Sequence, residues 1–360
     1  MSATVPATSG PEVVPLPYSA DDIGRRLGEG WAESLLHAYR WMTLGRTLDE
    51  RMLALQRQGR IGFYGPATGQ EAVSVGAGLV SRPEDWVVPG LREQLVALVR
   101  GHDLGRYVDH LFANAEDPAR GRQMPCHPTA REVHYLSMSS VIGTQISHGV
   151  GLAWSLRHAG DPGVALTFFG DGATSANDFH AGLNLAGVFG LPVVFCLTNN
   201  QWAISVPVER QTRVAHLADK AVAYGFPGRR VDGTDIVAVM EELRRAREVA
   251  AGGGGPTLLE FLLYRMTPHS SSDDPGRYQA ADWMARAIAR DPYRRLAACL
   301  EAHGLLDERG RRGIAAEAEE KVRAAVRAAE TVAPPPDASL TTDVWAAAAP
   351  RTDLRRPEAN

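Results

Sequence analysis

Apolar residues return at two different spacings along this chain. Between residues 31 and 58 they recur every three or four positions, which predicts one long amphipathic helix that ends at Gly59. Residues 70–80 and 141–158 fit two further helices rich in small residues, and glycines such as Gly76 let a neighbouring element approach closely. These helices are therefore predicted to pack in the interior.

From residue 164 onward, short apolar runs alternate with helical stretches. The predicted strands are 164–169, 193–198, 229–231 and 257–264. The predicted helices between them are 177–188, 215–223 and 235–250. Such alternation is typical of a parallel sheet, so we predict an α/β fold with helices on both faces of a parallel β-sheet.

Helical extensions and two terminal segments complete the predicted organisation. The chain is helical toward its end, up to a helix over 315–329, and three consecutive prolines then stop it. We therefore expect one α/β domain over residues 31–335 and a C-terminal arm over 336–360. Residues 1–30 contain four prolines and no long apolar run, and we expect a flexible leader there.

Composition argues against several classes of function. The 360 residues carry a net charge of −4 without runs of like charge, which argues against a nucleic-acid partner. No apolar run approaches the ~18 residues that cross a bilayer, so we expect no membrane partner. Cys126, Cys196 and Cys299 form no C-x-x-C pair, which fits reduced thiols in a cytoplasmic protein. Cys196 is predicted to be a core residue, whereas Cys126 is either an incidental loop thiol or a reactive one.

Two polar clusters follow neighbouring predicted strands. Gly170-Asp171-Gly172 follows one strand, and Asn199-Asn200 follows the next. Ligands bind at the carboxyl ends of strands in open α/β sheets, so both clusters should lie at one edge. Magnesium prefers oxygen ligands and takes one or two from protein, which suits the carboxylate of Asp171 and the side-chain oxygen of Asn200.

The glycines of the first cluster fit a phosphate group beside that metal. Gly170 and Gly172 leave the backbone free to approach a diphosphate, and the helix starting near residues 175–178 directs free amides toward the same anion. A backbone carbonyl near Trp202 would complete the metal shell. Gly-Asp-Gly alone is more typical of a tight turn, but its pairing with Asn-Asn favours a magnesium-diphosphate site.

The region around both clusters resembles the thiamine diphosphate motif in the α subunit of the first component of 2-oxo acid dehydrogenase complexes. It reads GDGATSANDFHAGLNLAGVFGLPVVFCLTNNQWAIS. The likeness extends through GRIGFYGPATGQEA, GLREQ, GRQMP and SMSSVIGTQ upstream, and through VDGTD, YRMTPHSSSDDPGRY and DPYRRL downstream. It covers roughly residues 31–335. The resemblance implies a thiamine diphosphate-binding fold, with thiamine diphosphate and Mg²⁺ as cofactors.

Position by position, the resemblance implies a set of contacts. The implied cofactor contacts are Arg92, Ser140, Ile142, Gly170, Asp171, Gly172, Ala173, Asn200 and His269. The implied magnesium ligands are Asp171, Asn200 and the carbonyl of Trp202. From the residues alone, Arg92 also fits a surface charge, since Glu93 beside it fits a helix cap. In branched-chain members, the residues at Ser139, Thr144 and Gln145 resemble a structural K⁺ site, although a plain serine-rich turn fits them too.

His269 is the histidine that we predict to be catalytic. It follows the predicted strand 257–264 and therefore reaches the same edge of the sheet. An imidazole there can stay neutral near pH 7 and exchange protons with a substrate. Three differences from the family pattern affect single diphosphate contacts and leave the magnesium pair intact. These are Leu91 for a frequent Tyr, Ala176-Asn177 for Glu-Gly, and Thr198 where some relatives have Arg.

The chain offers no convincing carboxylate to activate the ring of the cofactor. In the family that glutamate comes from a β subunit, so the resemblance implies an α2β2 heterotetramer. It also implies oxidative decarboxylation of a 2-oxo acid and acyl transfer to a lipoyl domain of the core acyltransferase. GRQMP, SMSSVIGTQ and HSSSDDPGRY favour branched-chain 2-oxo acids of the 3-methyl-2-oxobutanoate type over pyruvate, with acetoin third.

Other classes fit less well. Neither Lys220 nor Lys321 follows a glycine, so the chain has no Walker A loop of a kinase or ATPase. The Gly-x-Gly segments at 76–78 and 170–172 both lack the third glycine of a dinucleotide fingerprint. A catalytically silent scaffold subunit is the non-enzymatic alternative, and the intact metal pair and His269 argue against it.

Overall fold

A five-stranded parallel sheet lies at the centre of the computed structural model, which describes residues 13–342. The strands are β1 (Trp86–Val88), β2 (Ala165–Gly170), β3 (Val193–Asn199), β4 (Trp202–Ala203), β5 (Val206–Pro207), β6 (Gly228–Asp232) and β7 (Thr257–Leu262). The order in the sheet is β1-β2-β3-β7-β6, and β4 and β5 form a separate antiparallel hairpin. All neighbours within the five-stranded sheet are parallel, as predicted.

Helices cover both faces of this sheet, which confirms the predicted fold class. They are α1 (Ala20–Leu27), α2 (Trp31–Arg57), α3 (Glu71–Val80), α4 (Gln94–Val99), α5 (Leu104–Phe112), α6 (Thr144–Ala159), α7 (Asn177–Phe189), α8 (Ile236–Ala251), α9 (Trp283–Ala289), α10 (Pro292–Ala302) and α11 (Glu308–Glu330). Successive side chains of a strand point to opposite faces. Val193 and Phe195 of β3 pack with α6 and α7, whereas Val194 and Cys196 pack with α3 and α8.

Two elements differ from the predicted pattern. β1 was not predicted, because three residues are too few to show a periodicity. The predicted helix over 215–223 is a 3₁₀ helix over Leu217–Tyr224. It lies so close to β6 that a Cβ atom on Gly228 would be 1.9 Å from the Ala218 carbonyl oxygen. The contact with β6 thus accompanies a tighter winding than the apolar pattern indicates.

Residues 13–30 are not the flexible leader that we expected. Helix α1 begins after Ser19, whose hydroxyl accepts the amide of Asp22, while the Asp22 carboxylate accepts the amide of Ser19, both at 3.1 Å. This reciprocal cap fixes the start of the helix. Ile23 and Leu27 are then buried against the helical layer. The prolines before residue 18 therefore precede a packed helix.

The terminal segments are described in part. Within the expected C-terminal arm, Asp337–Thr341 forms a 3₁₀ helix. Residues 1–12 and 343–360 lie outside the described residues, so the leader and the arm remain expectations for those segments.

A layer of helices packs beside the sheet, and buried ion pairs join its helices to one another and to α3, which covers the sheet. α2 packs with α5, α10 and α11 around one apolar core. Arg46 of α2 donates to Glu71 of α3 at 2.5 Å and to Asp291, which precedes α10, at 2.5 and 2.9 Å. Within residues 13–342, no helix is both long and apolar enough to cross a membrane.

Candidate active site

Two loops meet at the carboxyl edge of the sheet. β2 and β3 pair so that Gly170 lies opposite Thr198, and the chain continues from these strands into Asp171 and Asn200. A Cβ atom on Gly172 would lie 2.8 Å from the Cβ of Ala203 in the β4–β5 hairpin. The loop after β2 therefore touches the hairpin that follows Asn200, and only glycine fits at that contact.

Asp171 is a buried carboxylate at this edge, and only 1% of it is exposed. Its Oδ2 accepts a hydrogen bond from Gln211 Nε2 at 2.7 Å. Burial raises the pKa of Asp171 to about 6, although the Gln211 hydrogen bond opposes that rise. A bound cation would favour the charged form of this carboxylate and so offset its desolvation.

The two asparagines after β3 have different partners. Asn199 donates to Glu260 of β7 at 2.7 Å, whereas Oδ1 of Asn200 accepts the backbone amide of Trp202 at 3.1 Å. Gln201, which lies between Asn200 and Trp202, has a φ of 71°, a left-handed conformation that turns the chain sharply. The side-chain oxygen of Asn200 and the carbonyl of Trp202 therefore belong to one tight turn. Both are neutral oxygens of the kind that complete a magnesium shell.

Arg92 is buried, so its interpretation as a surface charge is wrong. Only 4% of the residue is exposed. Its guanidinium donates to the carbonyl oxygen of Pro66 and, at 2.6 Å, to that of His269. Burial, followed by repulsion from Arg265, lowers the pKa of Arg92 to about 10. A buried cation that is bonded mainly to neutral carbonyls is well placed to accept an anionic ligand.

Arg265 is a second buried cation beside the same loops. It is fully buried and donates to the Ile204 carbonyl at 2.8 Å and the Tyr278 hydroxyl at 2.7 Å. Its Nε has no hydrogen-bond partner among the described residues, and the carboxylate of Asp273 lies 3.9 Å from Nη2. The charge of Arg265 acts on Arg92, and two neighbouring guanidinium groups favour binding of a diphosphate.

His269 lies close to these arginines, at the start of a short loop that contains Asp273. Its Nδ1 is 3.3 Å from Nη2 of Arg92, and its backbone amide donates to Asp273 at 2.7 Å. The hydroxyl of Tyr278 donates to the same Asp273 oxygen at 2.5 Å. The loop after β7 is therefore fixed through its backbone, while the imidazole lies against a guanidinium.

The loop that contains Ser140 and Ile142 lies beside the segment that follows Gly170-Asp171-Gly172. A Cβ atom on Gly143, whose φ is 96°, would lie 2.8 Å from the Cβ of Ala176, just before α7. Ser140 is hydrogen bonded to the buried imidazole of His127, and Ile142 is 59% exposed. This loop therefore presents a fixed hydroxyl and an uncovered apolar side chain at the edge of the site.

Residues 39–337 match a family model described as the dehydrogenase E1 component. The chain belongs to this family. Members of the E1 family depend on thiamine diphosphate in general. The buried carboxylate of Asp171, the neutral oxygens of Asn200 and Trp202, and the two buried arginines fit a cofactor that brings its own diphosphate to a magnesium ion.

Curated relatives of this E1 chain carry three kinds of name. The 2-oxoisovalerate dehydrogenase subunit alpha 1 of Arabidopsis thaliana is 38% identical over 308 residues, which are 85% of this chain and 65% of that protein. The 3-methyl-2-oxobutanoate dehydrogenase subunit alpha of Mycobacterium tuberculosis is 39% identical over 91% of this chain and 86% of its own length. The pyruvate dehydrogenase E1 component subunit alpha of Bacillus subtilis is 38% identical over 83% of this chain and 78% of its own length.

Two residues of the E1 site were not singled out from the sequence. Gln211 follows the β4–β5 hairpin and bonds to Asp171, but an isolated glutamine after a turn gives no signal of such a contact. Arg265 lies in the sequence YRMTPHSSSDDPGRY, and no pattern there indicates that its side chain is completely buried.

The interpretation of Cys126 as a reactive thiol is wrong. Burial raises the pKa of Cys126 to about 12, so the thiolate is scarce at neutral pH.

The imidazole of His269 should titrate far below neutral pH in the cofactor-free E1 chain. Burial, then the charges of Arg92 and Arg265, lower the pKa of His269 to about 4. The folded state thus binds fewer protons than the unfolded chain between pH 4 and 6.5, and His269 costs stability as pH falls through that window. An NMR titration, assigned with His269→Asn, should show a midpoint near pH 4. A midpoint near the ordinary value for histidine would contradict the half-buried position near two cations.

Proposed function

We propose that this chain is the α subunit of a thiamine-diphosphate-dependent 2-oxo acid dehydrogenase that acts on branched-chain 2-oxo acids. One observation carries the proposal. The loop after β2, which contains Asp171, contacts the β4–β5 hairpin that follows Asn200, and two buried arginines lie beside them. The enzyme would decarboxylate the 2-oxo acid oxidatively and transfer the acyl group to a lipoyl group.

The residues at this edge of the sheet would bind different parts of the cofactor and its metal. Asp171, Asn200 and the Trp202 carbonyl would hold Mg²⁺. Arg92, with Gly170, Gly172 and Ala173, would line the diphosphate, and Ser140 and Ile142 would contact the rest of the cofactor. When bound, thiamine diphosphate supplies the carbon that attacks the 2-oxo group of the substrate.

His269 would handle protons in this reaction. With a pKa of about 4, its imidazole is neutral at pH 7 and can accept a proton. Arg92 fixes it by holding its carbonyl at 2.6 Å. Diphosphate charge on Arg92 and Arg265 would offset the repulsion that these cations exert on a protonated imidazole. His269 would therefore become a better base once the cofactor site is filled.

Apolar exposure at the site supports a partner subunit. Val141 is 66% exposed and Ile142 is 59% exposed, next to the hydroxyl of Ser140. Large apolar side chains exposed side by side at a site are typical of a surface that a partner covers. We propose that a β subunit covers them in an α2β2 heterotetramer and supplies the glutamate for the cofactor ring. The lipoyl domain and the core acyltransferase would be the further partners, in the cytoplasm.

A structural K⁺ ion beside this loop is a further part of the proposal. Oε1 of Gln145 is buried and lacks a hydrogen-bond partner among the described residues. The hydroxyl of Ser139 accepts the amide of Val141 at 3.2 Å and so holds the loop closed. An unpaired amide oxygen is a suitable ligand for a monovalent cation, and Ser139, Thr144 and Gln145 would surround it.

The preference for branched-chain 2-oxo acids is proposed from the names of the relatives and from three sequence motifs. Relatives named for 2-oxoisovalerate and 3-methyl-2-oxobutanoate cover most of this chain, and GRQMP, SMSSVIGTQ and HSSSDDPGRY point the same way. Pyruvate is the second candidate, because the Bacillus subtilis pyruvate dehydrogenase relative is of similar identity.

Co-expression with the β subunit tests both the activity and the substrate. We expect thiamine diphosphate turnover, with kcat/KM for 3-methyl-2-oxobutanoate above that for pyruvate by at least about tenfold, which is ~1.4 kcal/mol of transition-state binding. The reverse order would assign the chain to pyruvate. Absence of turnover with either acid, in an assembled complex that contains cofactor, would favour the scaffold alternative.

A further inference from the structure

Gln211 is held against the carboxylate of Asp171 in a single orientation. Its Nε2 donates to Oδ2 of Asp171 at 2.7 Å and to the carbonyl oxygen of Val206 at 3.0 Å. Both partners accept hydrogen bonds only, so the nitrogen of the amide must face them. The two N–H groups of the amide are thereby used, and Oδ2 of Asp171 is engaged by a neutral donor.

The oxygen of the same amide points elsewhere and lacks a partner. Oε1 of Gln211 is buried and makes no hydrogen bond to any described residue. It lies 4.0 Å from the position that a Cβ atom on Gly172 would occupy. A buried acceptor without a donor destabilises the fold, so its position beside Gly172 indicates a donor that arrives with a ligand.

We propose that Gln211 is a positioning residue that makes this site select Mg²⁺ over Ca²⁺. The inference rests on the proposed cofactor function. Gln211 donates to Oδ2 of Asp171, so the carboxylate would bind the metal through Oδ1 alone. Mg²⁺ takes six ligands in a strict octahedron and keeps several waters, whereas Ca²⁺ accepts six to eight ligands and often a bidentate carboxylate. A carboxylate with one available oxygen suits Mg²⁺, and the unpaired Oε1 would accept a hydrogen bond from a water on that ion.

Metal titrations of the Gln211→Leu variant test this role. Thiamine diphosphate retention by the full chain, assembled with its β subunit, is measured by equilibrium dialysis against Mg²⁺ and, separately, against Ca²⁺. Loss of an outer partner of a metal ligand typically costs about 10–100-fold in metal affinity. We expect the Mg²⁺ requirement of the variant to rise by that factor and the Ca²⁺ requirement to change by less, so that the preference for Mg²⁺ narrows.

Matched variants separate metal selection from a general effect on the fold. Thr212→Val changes the neighbouring residue, whose hydroxyl accepts the amide of Val214 and does not touch Asp171, and should keep the wild-type preference. Gln211→Met removes the amide at nearly the same length and replaces Gln211→Leu if that variant does not fold. Equal changes for both metals, or no change, would overturn the inference. Metal-independent cofactor binding by the wild-type assembly would overturn the proposed function instead.

Discussion

Asp171→Ala should abolish magnesium-dependent binding of thiamine diphosphate. Asp171 is the one carboxylate among the proposed metal ligands, since Asn200 and the Trp202 carbonyl are neutral. A single electrostatic contact of this kind is often worth ~3 kcal/mol, and we expect a loss of at least about 100-fold in affinity by calorimetry. Asp171→Asn keeps the shape of the side chain and removes its charge, so it should lose nearly as much.

An exposed aspartate nearby serves as the control for that loss. Asp219 lies on the 3₁₀ helix Leu217–Tyr224 with its side chain at the surface. Asp219→Ala should bind the cofactor with wild-type affinity and the same need for magnesium. If Asp171→Ala bound as tightly as the wild type, the proposed metal site would be wrong.

His269→Ala should leave cofactor binding nearly unchanged and slow acyl transfer to the lipoyl domain. The Arg92 guanidinium holds the main-chain carbonyl of His269 at 2.6 Å, and alanine retains that carbonyl. The diphosphate contacts therefore survive the substitution, while the proton carrier is lost. General acid-base catalysis contributes about 10²–10⁴-fold, and we expect a decrease in that range in the single-turnover rate with a lipoyl domain.

The matched control is a histidine far from the sheet edge. His37 is an exposed residue of α2 whose Nε2 accepts a hydrogen bond from Trp41 at 2.9 Å. His37→Ala should transfer the acyl group at the wild-type rate. Wild-type transfer by His269→Ala would remove His269 from the mechanism, whereas weaker cofactor binding would assign it to the diphosphate site.

Much of the sheet could be predicted because its strands are buried on both faces. Residues 193–198 form one apolar run for that reason, and the observed β3 is Val193–Asn199. β1 escaped prediction because its three residues show no periodicity. Helix α1 escaped because the prolines before it suggested an open chain. The reciprocal cap between Ser19 and Asp22 is the local feature that starts this helix.

Residues of the candidate site could be predicted where they directly follow a strand. They could not be predicted where their place depends on contacts between residues far apart in the sequence. Asp171 and Asn200 follow adjacent strands, so the closeness of the two loops that carry them could be inferred from the order of elements. Arg265 is buried, and its guanidinium donates to the β4–β5 hairpin at Ile204 and to Tyr278. Gln211 reaches Asp171 across 40 residues of chain. Spacing along the sequence gives no indication of either contact.

Binding of thiamine diphosphate to the α/β assembly, with Mg²⁺ and with the metal chelated, tests the central claim most directly. Asp171, Asn200 and the Trp202 carbonyl are proposed to join the diphosphate through the metal. We therefore predict tight binding by calorimetry in the presence of Mg²⁺ and a loss of at least about 100-fold, or ~3 kcal/mol, in its absence. Equal affinity with and without the metal would contradict a magnesium-diphosphate site at this edge of the sheet.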